Sequence, residues 1–185
     1  MFIFPVSFIK SASGLAPEAF VTEWTIPRDE GEQSELDRTI TLYSYDTVPS
    51  GFTMDYRVDF GDETIIENVT TADQEHIYPA NGDEDVTYTV TITNQFGALN
   101  MQRASATQQG YLTKMVQWGT DNIWSSLYRM FHSCANMLYE ATDFPNLTNL
   151  VENTDAREVF RDCEAITSMD ISNWTNTSNI TNLQS

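Results

Sequence analysis

Two cysteines and two histidines are the side chains in this 185-residue sequence best suited to nucleophilic, redox or metal chemistry. Cys134 and Cys163 each follow a phenylalanine by three positions, so they occur in the same local pattern. Such a pair can be small buried thiols, a disulfide bond, or part of a metal or nucleophile site. Neither His76 nor His132 recurs with the cysteines, and His132 is predicted to face solvent. Packing by reduced thiols is therefore the favoured interpretation.

Acidic side chains are the second group with binding chemistry, because carboxylate oxygens are ligands of Ca²⁺. They lie in two short stretches, which comprise Asp59, Asp62 and Glu63, and then Asp83, Glu84 and Asp85. The EF-hand spacing is absent, and acidic loops are more often merely solvated. We predict no cofactor, with Ca²⁺ as the alternative. The sequence also lacks a glycine-rich phosphate loop and a spacing typical of a catalytic triad, so we predict no enzymatic activity.

The formal charge of −18 limits the partners that the chain can bind. Residues 1–108 hold 18 of the 27 acids and five of the nine bases. A surface of this sign repels nucleic acid and anionic membranes. No apolar run approaches the length of a membrane-spanning helix. Four tryptophans offer a platform for carbohydrate, although core packing explains Trp24, Trp118 and Trp174 and leaves only Trp124 without an inward role.

Alternating apolar and polar residues predict several strands between residues 18 and 108. Residues 87–93 and 54–60 alternate strictly, and residues 20–26 and 39–45 do so more weakly. A period of two with β-branched side chains is typical of half-buried strands. Turn-forming Pro, Gly, Asn and Asp lie between these runs. The pattern predicts a mainly β fold with a sandwich of two antiparallel sheets.

Three motifs in this region resemble those of PKD-like domains, which are immunoglobulin-type β-sandwiches. The motifs are VDFGDETI at 58–65, EHIYPANG at 75–82 and YTVTITN at 88–94. Their motif residues are Phe60, Gly61, Asp62, His76, Tyr78 and Tyr88. The family has Trp where this chain has Phe60, and Gly where it has Glu63. The resemblance implies a PKD-like sandwich over about residues 20–105, in which His76 is a structural hydrogen-bonding residue.

The second part of the chain carries a sequence repeat with fixed apolar positions. MFHSCANML at 130–138 recurs as VFRDCEAIT at 159–167. The period of about 29 residues is of the length typical of a solenoid. Residues 159–183 resemble the BspA-like leucine-rich repeats of bacterial surface proteins. The matched repeat residues are Phe131, Cys134, Phe160, Cys163 and Trp174. The resemblance implies a short solenoid with inward apolar residues and turns of Asn, Ser and Thr.

The N-terminal segment MFIFPVSFIKSASGLAP is apolar and distinct from the rest. A secretory signal places its positive charge before a longer apolar run, whereas Lys10 follows this run and Pro5 interrupts it. We predict a docking arm, with an atypical signal peptide as the alternative. The predicted organisation is an arm at 1–17, a PKD-like β-sandwich at 18–108 and a BspA-like leucine-rich solenoid at 109–185, with a polar connector at 106–112.

Both resemblances imply display on an outer surface and contact with protein or glycan. We predict a non-enzymatic structural or interaction protein. The favoured setting is a virion surface, as a phage capsid-decoration or tail component that docks on other subunits through its arm. The alternative is a fragment of a bacterial cell-surface adhesin that binds a host protein or a glycan. Nucleic acid and a membrane span are not expected.

Overall fold

The computed structural model describes residues 16–29, 31, 34–44, 52–147, 154–169, 171, 172, 174, 177 and 180–182. Residues 1–15 of the predicted arm lie outside the described residues. The described part is mainly β, as the alternating pattern predicted. No helix within it has both the length and the apolar character needed to cross a bilayer.

The described strands follow one another along the chain with a single short α-helix among them. They are β1 (Phe20–Ile26), β2 (Thr39–Leu42), β3 (Asp55–Asp59), β4 (Ile65–Val69), β5 (Gln74–Ile77), β6 (Val86–Gln95), β7 (Leu112–Gln117), β8 (Leu138–Tyr139), β9 (Thr154–Asp155) and β10 (Ile180–Asn182). The helix α1 (Ala106–Tyr111) precedes β7, and 3₁₀ turns cover Glu35–Arg38 and Met101–Arg103.

A six-stranded sheet in the order β4-β3-β6-β1-β7-β8 forms the centre of the molecule. The predicted alternation holds in β6, where Val90 and Ile92 are buried while the threonines between and beside them are partly or fully exposed. In β3, Tyr56 and Val58 are buried in the same way. One face of these strands therefore lines the core, and the other carries polar side chains to solvent.

The smaller sheet of β2 and β5 shares this core. These two strands pair antiparallel, with Ile40 opposite His76 and Leu42 opposite Gln74. Ile40 and Leu42 are buried in the same apolar cluster as Trp24 of β1. That cluster continues without a break to Cys163 in the second part of the chain. A single apolar core therefore extends through both predicted parts.

All described strand pairs within residues 18–108 are antiparallel, but the large sheet continues beyond this range and as a whole is mixed. β7 pairs antiparallel with β1 and parallel with β8, and both β7 and β8 lie beyond residue 108. The main sheet thus recruits its last two strands from the repeat-bearing part. Strand pairing joins residues distant in sequence, so alternation within one strand does not specify its neighbour.

The predicted polar connector at 106–112 is wrong, since most of it is α1. The Ser105 side chain accepts a hydrogen bond from the Gln108 N–H at 3.3 Å, which caps the first turn. Gln108 and Tyr111 are buried, and both donate to backbone carbonyls, of Thr39 and Asp37. A helix of six residues is too short to show a recognisable helical period in the sequence.

The two sequence copies in the second part lie directly against each other. Backbone N–H groups of the first copy donate to carbonyls of the second at 2.8–3.1 Å, in the pairs Arg129 to Arg157, Phe131 to Val159 and Ser133 to Arg161. Parallel pairing also joins successive passes of the chain at β7 with β8 and at β9 with β10. After one sequence period, the chain therefore comes to lie beside the preceding copy of the repeat.

The backbone conformation repeats with the sequence. Arg129 and Glu158 have φ values of 55° and 57°, and Ser133 and Asp162 have values of 62° and 58°. The members of each pair occupy equivalent positions of the repeat. Left-handed conformations are uncommon for residues other than glycine, so two matched pairs indicate that both copies make the same tight turns.

Candidate functional site

Residues of the three motifs at 58–65, 75–82 and 88–94 meet in one cluster that joins the β3–β4 turn to β5. His76 Nε2 lies 2.8 Å from Asp62 Oδ2, and both side chains are at most 10% exposed. The His76 ring stacks on Phe60 with centroids 4.2 Å apart. Tyr78 donates its hydroxyl hydrogen to the Phe60 carbonyl at 3.0 Å and stacks on Tyr88 at 4.0 Å. All these contacts are internal.

Gly61 allows the chain to turn inside this cluster. Its φ is +82°, and a Cβ atom there would lie 2.6 Å from the Thr89 carbonyl oxygen and 2.9 Å from its nitrogen. A side chain would meet backbone of β6 that cannot move aside. Asp59 and Asp62 accept hydrogen bonds from the N–H groups of Gly61 and Thr64, which complete the turn.

The electrostatics of the cluster keep the Asp62 carboxylate ionised. Burial by itself would raise the pKa of Asp62, but hydrogen bonds from His76 and Thr64 outweigh it and leave the pKa below its ordinary value. Burial raises the pKa of Tyr78 far above its ordinary value, so its hydroxyl stays protonated. This arrangement positions the turn, and it offers no activated nucleophile.

The two acidic stretches do not converge on a cation site. No group of three His, Cys, Asp or Glu side chains suited to a metal ion occurs among the residues that the structure describes. Asp62 is held by His76, and Asp85 accepts a hydrogen bond from the Arg28 N–H at 2.8 Å. Asp83 lines an open cleft of about 430 Å³ with Arg28, Asp29 and Gly31. The geometry thus gives the Ca²⁺ hypothesis no set of ligands.

Cys134 and Cys163 lie at matching positions of the two copies, and both are buried, free thiols. Cys163 donates to the Phe131 carbonyl oxygen at 3.0 Å. Burial raises the pKa of Cys163 to about 12, and burial together with the nearby Cys163 raises that of Cys134 well above its ordinary value. Because the thiolate is the reactive form, these cysteines are poor nucleophiles and metal ligands.

A chain of contacts through Ser133, His132 and Glu158 was not indicated by the sequence. Ser133 Oγ lies 2.8 Å from His132 Nδ1, and His132 Nε2 lies 3.7 Å from Glu158 Oε2. This order is similar to a serine-hydrolase triad. However, the contact between His132 and Glu158 is longer than a hydrogen bond, and Arg129 already binds Glu158 Oε2 at 2.8 Å. The Ser133 N–H donates to the Arg161 carbonyl, so it cannot serve an oxyanion.

The expectation that His132 faces solvent is wrong, since its side chain is only 14% exposed. Its partner Glu158 is distant in sequence and arrives from the next copy of the repeat. Only the stacking of the two copies brings these groups together. The repeat period offered a signal for this contact. Glu158 is the counterpart of Arg129, which lies three residues before His132, so stacking of the copies brings Glu158 close to His132.

Three arginines on this face of the repeat each contact a carboxylate or an aromatic ring of the chain. The guanidinium groups of Arg129 and Arg157 lie 4.5 and 5.2 Å from the centroid of the Tyr128 ring. Glu158 binds Arg129 and also Arg161, at 3.4 Å. The hydrogen bond from Arg129 is the main reason that the pKa of Glu158 is lowered. Such a cluster stabilises the stacked copies without leaving a strongly charged surface.

The tryptophans do not form a carbohydrate platform. Trp24, Trp118 and Trp124 have no exposed surface, and Trp174 is half-buried against Trp118 at 5.6 Å. Trp124 has the inward role that the sequence did not assign, since it packs edge-on against Phe20 at 4.9 Å. It therefore helps to hold the repeat-bearing part against β1.

Comparisons of the chain with protein-family models, with curated proteins and with solved structures gave no match.

Proposed function

We propose that this chain is a non-enzymatic structural subunit of a virion surface, as a capsid-decoration or tail component that docks through its N-terminal arm. The observation that supports this proposal is the attachment of the arm's root, which is Ala16 and Pro17. Gln117 donates to the carbonyls of Ala16 and Ala19, each at 2.7 Å, and the Thr120 N–H donates to Pro17 at 3.3 Å. An apolar segment whose C-terminal end, at Ala16 and Pro17, is hydrogen-bonded to the folded body suits the attachment of that body to a neighbouring subunit.

At the level of fold, we propose a PKD-like sandwich that continues into a BspA-like leucine-rich solenoid. The contacts among Asp62, His76, Phe60 and Tyr78 support the first assignment, because the three motifs meet in one place. The hydrogen bonds between repeat copies support the second. In this arrangement β1 pairs with β7 and so covers the N-terminal end of the solenoid, which is otherwise the kind of end that requires a cap.

The non-enzymatic part of the proposal is supported by how the reactive side chains are used. Cys134 and Cys163 are buried with raised pKa values, and His76 and His132 each contact a carboxylate within the fold. A screen for turnover of polysaccharides and of activated esters tests this directly. Activity that the His132→Gln variant abolishes would contradict it.

A bacterial surface adhesin is the second candidate, and the stacked repeat favours it. Repeat stacks present broad surfaces to proteins or glycans, and BspA-like repeats are typical of bacterial surface proteins. The two candidates differ in where the chain resides, because one predicts particles and the other cell envelopes.

Immunogold electron microscopy distinguishes these settings. Antibodies against the folded chain would be applied to virions and to host cells from the native source. The virion proposal predicts gold on intact particles at a fixed location, such as capsid or tail. Label confined to cell envelopes would favour the adhesin, and label on neither would exclude both. Pre-incubation of the antibodies with purified chain is the control.

A further inference from the structure

The first nine residues, MFIFPVSFI, need an apolar surface. They contain seven apolar side chains in addition to proline, and no charge. Side chains of this kind are driven out of water, whereas exposed apolar patches are small on most monomeric proteins. The described chain starts at Ala16, so the location of that residue sets where the preceding segment is attached.

The departure point lies beside a second segment of the chain. The turn at 117–121 that clamps Ala16 and Pro17 also binds residues 143–146. The Asp143 carboxylate accepts hydrogen bonds from the N–H groups of Trp118 and Gly119 at 2.9–3.1 Å. Asn146 Nδ2 donates to the Thr120 carbonyl at 3.0 Å. The root of the arm and residues 143–146 therefore share one turn.

Residues 138–144, which lead into this second segment, expose two apolar side chains, Leu138 and Phe144, with the exposed Glu140 and Thr142 between them. Residues 138–144 alternate, with even-numbered positions exposed and odd-numbered positions partly buried. Leu138 is 45% exposed and Phe144 is 42% exposed. Phe144 is the single aromatic among the large exposed apolar residues in the described part of the chain. This exposed aromatic ring lies in the segment that shares a turn with the start of the apolar arm, so it is the candidate contact for that arm.

We propose that Leu138 and Phe144, both on the exposed face of residues 138–144, contact residues 1–9 of a second copy of this chain. This inference rests on the proposed function, which assigns the arm to a neighbouring subunit. Fifteen extended residues reach about 50 Å, so the arm can cross to a second copy while its root stays clamped. Exchange of identical segments between copies is a low-cost route to association.

Light scattering after size-exclusion chromatography tests the proposal on full-length chains. Phe144→Glu removes the acceptor, and a variant with both Phe4→Asp and Phe8→Asp removes the arm contact. Leu138→Glu is a second acceptor variant. Leu36→Glu is the control, because Leu36 is 74% exposed at another site. Circular dichroism and thermal melting establish that each variant is folded.

The wild type and Leu36→Glu are expected to associate, whereas both acceptor variants and the arm variant elute as 21.0 kDa monomers. An equimolar mixture of Phe144→Glu with the arm variant should regain association, since one partner keeps the arm and the other keeps the acceptor. This recovery would separate exchange between copies from packing within one chain.

A monomeric wild type would overturn the inference while leaving attachment to a different subunit intact. If both acceptor variants associate while the arm variant is monomeric, Leu138 and Phe144 are not the acceptor, and the inference is overturned. The docking role of the arm would stand. Association of the arm variant like the wild type would overturn this inference and also the role of the arm in the proposed function.

Discussion

The ring of Phe131 stacks on the ring of Phe160, with centroids 5.4 Å apart and planes inclined by 17°. The two residues are equivalent in the sequence repeat. The Phe131 N–H also donates to the Val159 carbonyl at 2.9 Å. Successive copies are thus joined by backbone and by ring contacts at the same place, so the stability of one copy depends on the other.

Phe131→Ala should destabilise the protein strongly, because Phe131 has no exposed surface. Removal of a buried phenylalanine costs about 3–5 kcal/mol through lost burial and the cavity that remains. Urea unfolding followed by tryptophan fluorescence would report it. Leu36→Ala, at an exposed position, should change the free energy of unfolding by less than about 0.5 kcal/mol. Equal effects for the two variants would contradict the stacked arrangement.

Gly61→Ala should cost more than Gly82→Ala. Both glycines have positive φ, +82° and +67°, so both substitutions introduce backbone strain. Only at Gly61 would the new Cβ meet backbone atoms, whereas nothing lies within 4 Å at Gly82. The difference in unfolding free energy between the two variants therefore isolates the steric cost at Gly61. We expect it to be about 1–3 kcal/mol in thermal or urea unfolding. A similar cost at both sites would argue against the close approach of β6.

Asp62→Asn should reduce stability at neutral pH and weaken its dependence on pH. Asparagine has no charge and only one acceptor oxygen, so it cannot accept from both Thr64 and His76 through two oxygens as the carboxylate does, at a cost of about 1–3 kcal/mol. The pKa of Asp62 is lowered in the folded state from an ordinary value of 3.8. Its contribution is therefore fully present above that value and is lost as the pH falls through the folded pKa.

Urea unfolding at a series of pH values between about 6 and about 3 measures this effect. The wild type should lose more stability over that range than Asp62→Asn. Asp83→Asn, which removes the same charge from an exposed loop, should follow the wild type. Parallel profiles for the wild type and Asp62→Asn would show that the lowered pKa of Asp62 does not contribute to stability.

Both cysteines should resist alkylation in the folded protein. The thiolate is the reactive species, and burial raises the pKa of Cys163 to about 12 and that of Cys134 well above its ordinary value. Mass spectrometry after iodoacetamide treatment at about pH 8 should show no adduct in buffer and two adducts in urea. A mass two hydrogens lower without reductant, and no adduct in urea, would instead indicate a disulfide.

Local patterns in the sequence determined the strands and the repeat. Alternation placed β3 and β6 and their buried faces, since a strand shows its two faces to neighbouring residues. The spacing of Phe131 and Phe160 indicated which positions would stack. The motif residues Asp62, His76 and Tyr78 could be named in advance because their segments resemble motifs of PKD-like domains, and not because local turn or strand patterns single them out.

Tertiary structure alone decided which of these elements meet. β7 pairs with both β1 and β8, a choice between partners that depends on register and on the shared core rather than on its own sequence. The burial of Trp124 follows from that junction, since its packing partner Phe20 is on β1. The contact of His132 with Glu158 likewise arises only where two copies of the repeat close on each other.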